Sequence, residues 1–111
     1  IMTMTKKIIA TIIKPYVDAI KKNGIPVQDV YLFGSMAKGN MHEGSDIDIC
    51  IVSPSFGKNR FDERLKLMNL RDGISDLIEP HPYSPTDFNN PYDPLSVEIV
   101  RNGIHIQLRT L

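Results

Sequence analysis

Tryptophan is absent from this 111-residue chain and cysteine occurs once, at Cys50. A lone thiol excludes an internal disulfide, and with no Cys/His spacing there is no zinc site to read, so the expected setting is the reducing cytoplasm. An excess of one charge is also missing: Lys plus Arg number 13 and Asp plus Glu number 13, giving a formal net charge of zero. No global basic field draws the chain to nucleic acid, and a near-neutral surface is prone to associate, which leaves a homo-oligomer open. The apolar run Ile8-Ile9-Ala10-Thr11-Ile12-Ile13 stops at Lys14 and Pro15, well short of a membrane span, and reads as neither signal peptide nor anchor. No repeat or low-complexity segment is present.

The remaining composition, 41% hydrophobic and 23% charged, is that of a soluble globular protein, and the length suits a single domain over residues 1–111 with a modest core. Its chemistry is concentrated between Leu32 and Val52, LFGSMAKGNMHEGSDIDICIV. There Ile47, Ile49 and Ile51 alternate with Asp46, Asp48 and Cys50, and β-branched residues dominate, so the segment reads as a strand. Side chains two apart on a strand share a face, about 6.6 Å from each other at ~3.3 Å per residue. Two acids held that close repel unless a cation lies between them, and carboxylate oxygens suit Mg²⁺, which takes waters and substrate phosphates as its other ligands. Ahead of them Val30–Phe33 reads as a short strand. Gly34-Ser35 then turns into an expected helix from Ser35 to about Lys38, whose N-terminus would be an anion site. Taken singly, Ser45-Asp46 is also an ordinary turn cap and Asp48 an ordinary solvent-facing strand residue.

Apolar residues Ile8, Ile9, Ile12, Ile13, Val17 and Ile20 predict a helix from about Thr5 to Asn23, kinked or divided at Pro15. A strand is expected over Asp29–Phe33 and another over Ile47–Val52. His42 and Glu43 lie in the intervening loop, where solvent exposure is the simplest role. Asn59 is positioned to cap a helix to about Arg71, with Phe61, Leu65, Leu67, Met68 and Leu70 as its core stripe and Arg60 and Arg64 in solvent. A third strand is expected over Ile74–Glu79, then a proline-rich linker from His81 to Pro94 exposing Tyr83, Phe88 and Tyr92. A helix over Leu95–Asn102 and an edge strand from Ile104 follow.

Gly34-Ser35, ten residues, then Asp46-x-Asp48 in an apolar strand resembles the signature of the DNA polymerase beta nucleotidyltransferase superfamily. The short form GSMAKG…SDIDI resembles its minimal nucleotidyltransferase (MNT) family, and the likeness runs from the first helix to the last strand. It implies an α/β (α+β) fold, a small mixed sheet with helices packed on it. It also implies two Mg²⁺ ions held by Asp46 and Asp48, and ATP whose β and γ phosphates are gripped by Gly34 and Ser35, with Lys38 offsetting their charge. Members often carry Arg after the Ser; here Met36 stands there, leaving Lys38 as the nearest basic residue.

A third acid completes such sites, as metal ligand and as acceptor of the attacking hydroxyl's proton. Asp76 and Glu79 are the candidates. Three residues apart on a regular strand they face opposite ways, so at most one meets the pair. Glu79, in Leu-Ile-Glu-Pro-His-Pro, resembles the family's third-acid strand more closely. The resemblance further implies AMP transfer to a hydroxyl, a tyrosine, of a partner protein, with the chain as antitoxin of a HEPN-type toxin. Two alternatives stand beside it: transfer to a small hydroxylated molecule such as an aminoglycoside, and an antitoxin that acts by contact alone.

Overall fold

The computed structural model describes residues 3–39, 42 and 44–111. The N-terminal apolar stripe forms a continuous helical arm: α1 (Met4–Ile8), a π-helical turn (Ile9–Ile13) and α2 (Lys14–Lys22). Thr3 caps its start, the hydroxyl accepting the Lys6 N–H at 3.1 Å. The expected break at Pro15 takes the form of that wider turn. Proline has no N–H for the preceding turn and its ring crowds the carbonyl four residues back, so the helix widens there and continues. Gly24, at φ 80°, ends the arm.

Strands β1 (Asp29–Phe33) and β2 (Ile47–Val52) fall where the apolar patterns place them and pair antiparallel. Helix α3 (Arg60–Asn69) follows, Asn59 accepting the Asp62 N–H at 3.1 Å. The Glu63 carboxylate gathers the N–H groups of Gly57, Lys58 and Asn59 at 3.0, 3.2 and 3.3 Å, so the loop into α3 is tied to its first turn.

Strand β3 runs over Ile78–Tyr83, four residues later than expected, and pairs parallel with β2. Two effects move it. Arg71 holds the segment before it as a turn, donating to the carbonyls of Met68, Asp76 and Ile78 at 3.0, 3.0 and 3.1 Å. Pro80 and Pro82, which look like breakers, are harmless at this edge. The Leu77 and Tyr83 carbonyls accept from Ile47 and Ser53, so odd positions aim at β2 and the two prolines' missing donors would have faced outward. The supposed linker is therefore partly strand. It also carries a short helix, α4 (Pro85–Phe88), before α5 (Pro94–Asn102), β4 (Ile104–Ile106) and a closing 3₁₀ turn at Leu108–Thr110.

The result is a small α/β fold, a four-stranded mixed sheet of order β3-β2-β1-β4 with helices on it. One face is sealed by α1, α2 and α3: Ile47, Ile49, Ile51, Val30, Leu32 and Ile78 meet Ile13, Val17, Ile20 and Leu67 in the main core. The other is half covered. Phe33, Cys50, Val52 and Tyr83 pack with Phe88 of α4 and Ile99 of α5. Tyr83 and Phe88 are thus buried rather than displayed, and only Tyr92 of the three aromatics stands in solvent. The α3 stripe differs too, with Leu67 buried but Phe61 and Leu65 exposed. Among the described residues no helix is long and apolar enough to cross a membrane.

Candidate active site

The uncovered part of the second face lies at one end of the sheet, where β1 finishes and the parallel strands β2 and β3 begin. Register brings three side chains into a row across it: Phe33 opposite Asp48, and Asp48 opposite Glu79. Odd positions of β3 point this way, so Glu79 shares a face with Asp48. Asp76 lies outside the strand, exposed in the preceding turn, with its own carbonyl taken by Arg71. Asp46 precedes β2 and is exposed at the mouth. Asp48 and Glu79 are partly shielded, their side chains 27% and 33% exposed.

Gly34 ends β1 at φ 71°, and a Cβ there would collide with Asp48 Oδ2. Both constraints select glycine: the left-handed backbone and the close approach of the main chain to the carboxylate. The expected helix after it is absent. Residues 34–39 form a single turn, closed by the Lys38 N–H donating to the Gly34 carbonyl at 3.2 Å and ended by Gly39 at φ 74°. Ser35 is half-buried and Lys38 exposed on this turn. Met36 is buried in the core, so the position after the serine points away from the site. A cavity of about 210 Å³ lies beside the turn, with Gly34, Lys38, Leu95 and Asn102 among its walls.

His42 is exposed, its N–H donating to Ser45 Oγ at 2.9 Å, which closes the loop onto the start of β2. Glu43 lies outside the described residues, as do Asn40 and Met41.

Two residues here escape the sequence patterns. His81 Nε2 lies 3.6 Å from Asp48 Oδ1, with the imidazole edge-on to Phe33 at 5.0 Å between ring centres. Arg64 Nη2 lies 3.3 Å from Glu79 Oε2. The one signal for His81 is its parity with Glu79, readable only once β3 is placed. For Arg64 it is the helix that spans the parallel crossover between β2 and β3.

These features define a class. A family model for the nucleotidyltransferase domain matches residues 13–98, and the chain belongs to that family. No curated protein matches the chain. Among solved structures it is similar to a candidate nucleotidyltransferase from Sulfolobus solfataricus, with a TM-score of 0.60 and 17% identity over 95% of this chain and 87% of that one. That likeness is one of fold. It is also similar to a chain in the crystal structure of a toxin–antitoxin with AMP-PNP, with a TM-score of 0.54 and 25% identity over 83% of this chain and 69% of that one.

Among the described residues no group of three or more His, Cys, Asp and Glu side chains is arranged to hold a metal ion. Two carboxylates, Asp48 and Glu79, do lie side by side on neighbouring strands, and carboxylate oxygens are the donors a hard divalent cation takes.

Proposed function

We propose that the chain transfers AMP from ATP to a tyrosine hydroxyl of a partner protein, as the antitoxin of a HEPN/MNT pair. The observation that carries this reading is the row formed by Asp48 and Glu79 beside the Gly34 turn. It is supported by family membership and by the similar chain that belongs to a toxin–antitoxin with AMP-PNP.

In this reading residues 1–111 act as one nucleotidyltransferase domain. Asp46, Asp48 and Glu79 hold Mg²⁺, which when bound supplies positive charge against the triphosphate and the departing pyrophosphate. Gly34 offers a main chain free of a side chain, Ser35 offers its hydroxyl and N–H to the β and γ phosphates, and Lys38 offsets their charge. Glu79 receives the proton of the attacking hydroxyl. The hydroxyl oxygen then bonds to the α-phosphorus as the bond from that phosphorus to the bridging oxygen breaks, and pyrophosphate leaves. Arg64, 3.3 Å from Glu79 Oε2, holds the carboxylate in place.

The test is to incubate the chain with labelled ATP, Mg²⁺ and the product of the neighbouring gene, then to locate the label by mass spectrometry. The expected result is one AMP, or a short AMP chain, on a tyrosine of that protein. Label on a small hydroxylated compound instead, with none on the protein, would move the activity to that acceptor class. Tight binding with no transfer at all would leave an antitoxin acting by contact.

A further inference from the structure

A cleft of about 490 Å³ opens beside Glu79 between α3 and β3, with Arg60, Phe61, Arg64, His81, Tyr83 and Asp93 among its walls. Its lining sets two arginines against one aspartate, Asp93, which caps α5 by accepting the N–H groups of Leu95 and Ser96 at 3.0 and 3.2 Å. Arg60 and Arg64 sit one helical turn apart on α3, so both guanidiniums flank the same opening. The Arg60 guanidinium lies 4.2 Å from the centre of the Tyr83 ring, which orients it at the opening. Phe61 is 77% exposed and Leu65, one turn on, is 50% exposed. A helix position read from sequence as core thus stands bare at the rim of a cationic cleft.

We infer that this cleft docks an acidic segment of a partner protein, carboxylates pairing with Arg60 and Arg64 and an apolar side chain resting on Phe61. Two guanidinium forks suit carboxylates, and the apolar rim suits a peptide more than a phosphate backbone.

The experiment titrates the chain, without nucleotide or metal, with two fluorescent peptides of equal length, one alternating Glu with Tyr and the other alternating Lys with Tyr. The Glu-Tyr peptide should bind about tenfold tighter or more, and Arg60→Gln with Arg64→Gln should remove that preference. Arg60→Lys with Arg64→Lys should restore part of it, and Phe61→Ser should weaken binding with the charge preference retained. Equal binding of both peptides, or a preference that survives the double glutamine variant, would overturn the inference. So would an equal loss of AMP-PNP affinity in that variant, since the cleft would then belong to the nucleotide. Peptide binding that behaves as expected in a chain that transfers no AMP would leave the docking site standing and refute the proposed reaction alone.

Discussion

Strand β2 sets Ile47, Ile49 and Ile51 against one face of the sheet and Asp48, Cys50 and Val52 against the other, and the two sets keep different company. The isoleucines meet α1, α2 and α3, whereas the second set is roofed by α4 and α5 only beyond Asp48. The first residues of β2 and β3 on that side are left open to solvent. A side chain there contributes little to the core and is available for chemistry. Substitutions on the sealed face should therefore cost stability, and those at the open end should cost activity.

The sharpest break in that division is Asp48→Asn, which should abolish metal-dependent transfer. The fold should be retained, because the carboxylate is partly solvated and the His81 contact at 3.6 Å is long. An unchanged urea midpoint with no transfer is the expected pair of measurements. Wild-type transfer would remove Asp48 from the reaction.

Next in size is the contrast between the two third-acid candidates. Glu79→Gln should slow chemistry about 10² to 10⁴-fold with nucleotide binding largely kept, the range for loss of a general base. Asp76→Asn should do little, since its side chain is exposed in the turn ahead of β3. Single-turnover rates of the two variants decide it, and the reverse ranking would give the role to Asp76.

Those candidates also show how far residues alone carry the argument. Strands β1 and β2 were legible to the residue because each is a short apolar run bounded by turn formers. The placement of Asp48 on β2 and of Gly34 just after β1 was legible for the same reason. The third strand was not, because its register is set by Arg71 bonding to three carbonyls, a long-range tie no local pattern announces. Its prolines misled, since whether a proline breaks a strand depends on which way the missing donor would have pointed. The helix after Ser35 failed in the opposite direction: good capping chemistry is overridden when Met36 is drawn into the core and Gly39 turns left-handed. Exposure of Phe61 and Leu65 was beyond reach as well, since a helical stripe reports periodicity and only the packed sheet shows which part of it is covered.

On the sealed face, Leu67→Ala should lower stability by about 2 to 5 kcal/mol, the range for truncating a buried leucine. Leu67 is fully buried in the core shared with the sheet and α2. Nucleotide affinity at temperatures well below the transition should be unchanged. A fall in affinity matching the loss of stability would mean that the two faces are not energetically separate.

The smallest expected effect is the most specific to how the sealed face is built. The Tyr16 hydroxyl donates to the Leu67 carbonyl at 2.6 Å, joining α2 to the last turn of α3, where a helix leaves carbonyls without partners. Tyr16→Phe should cost about 1 to 3 kcal/mol at neutral pH, the cost of leaving that buried acceptor unpaired. Burial also raises the hydroxyl's pKa above its ordinary 10.0, an effect the nearby Arg71 only partly offsets. The native state therefore keeps a proton that the unfolded chain releases above pH 10.0, and the unfolded state gains from alkalinity. This contribution is fully present below that pH and is lost as pH rises past it, by up to about 1.4 kcal/mol per unit. Tyr31 and Tyr83 also titrate late, but they do so in both proteins and drop out of the difference. Urea midpoints at pH 8 and pH 11 should show the gap between wild type and Tyr16→Phe narrowing at the higher pH. A gap that stays constant would mean that the hydroxyl is not held proton-bound between the two helices.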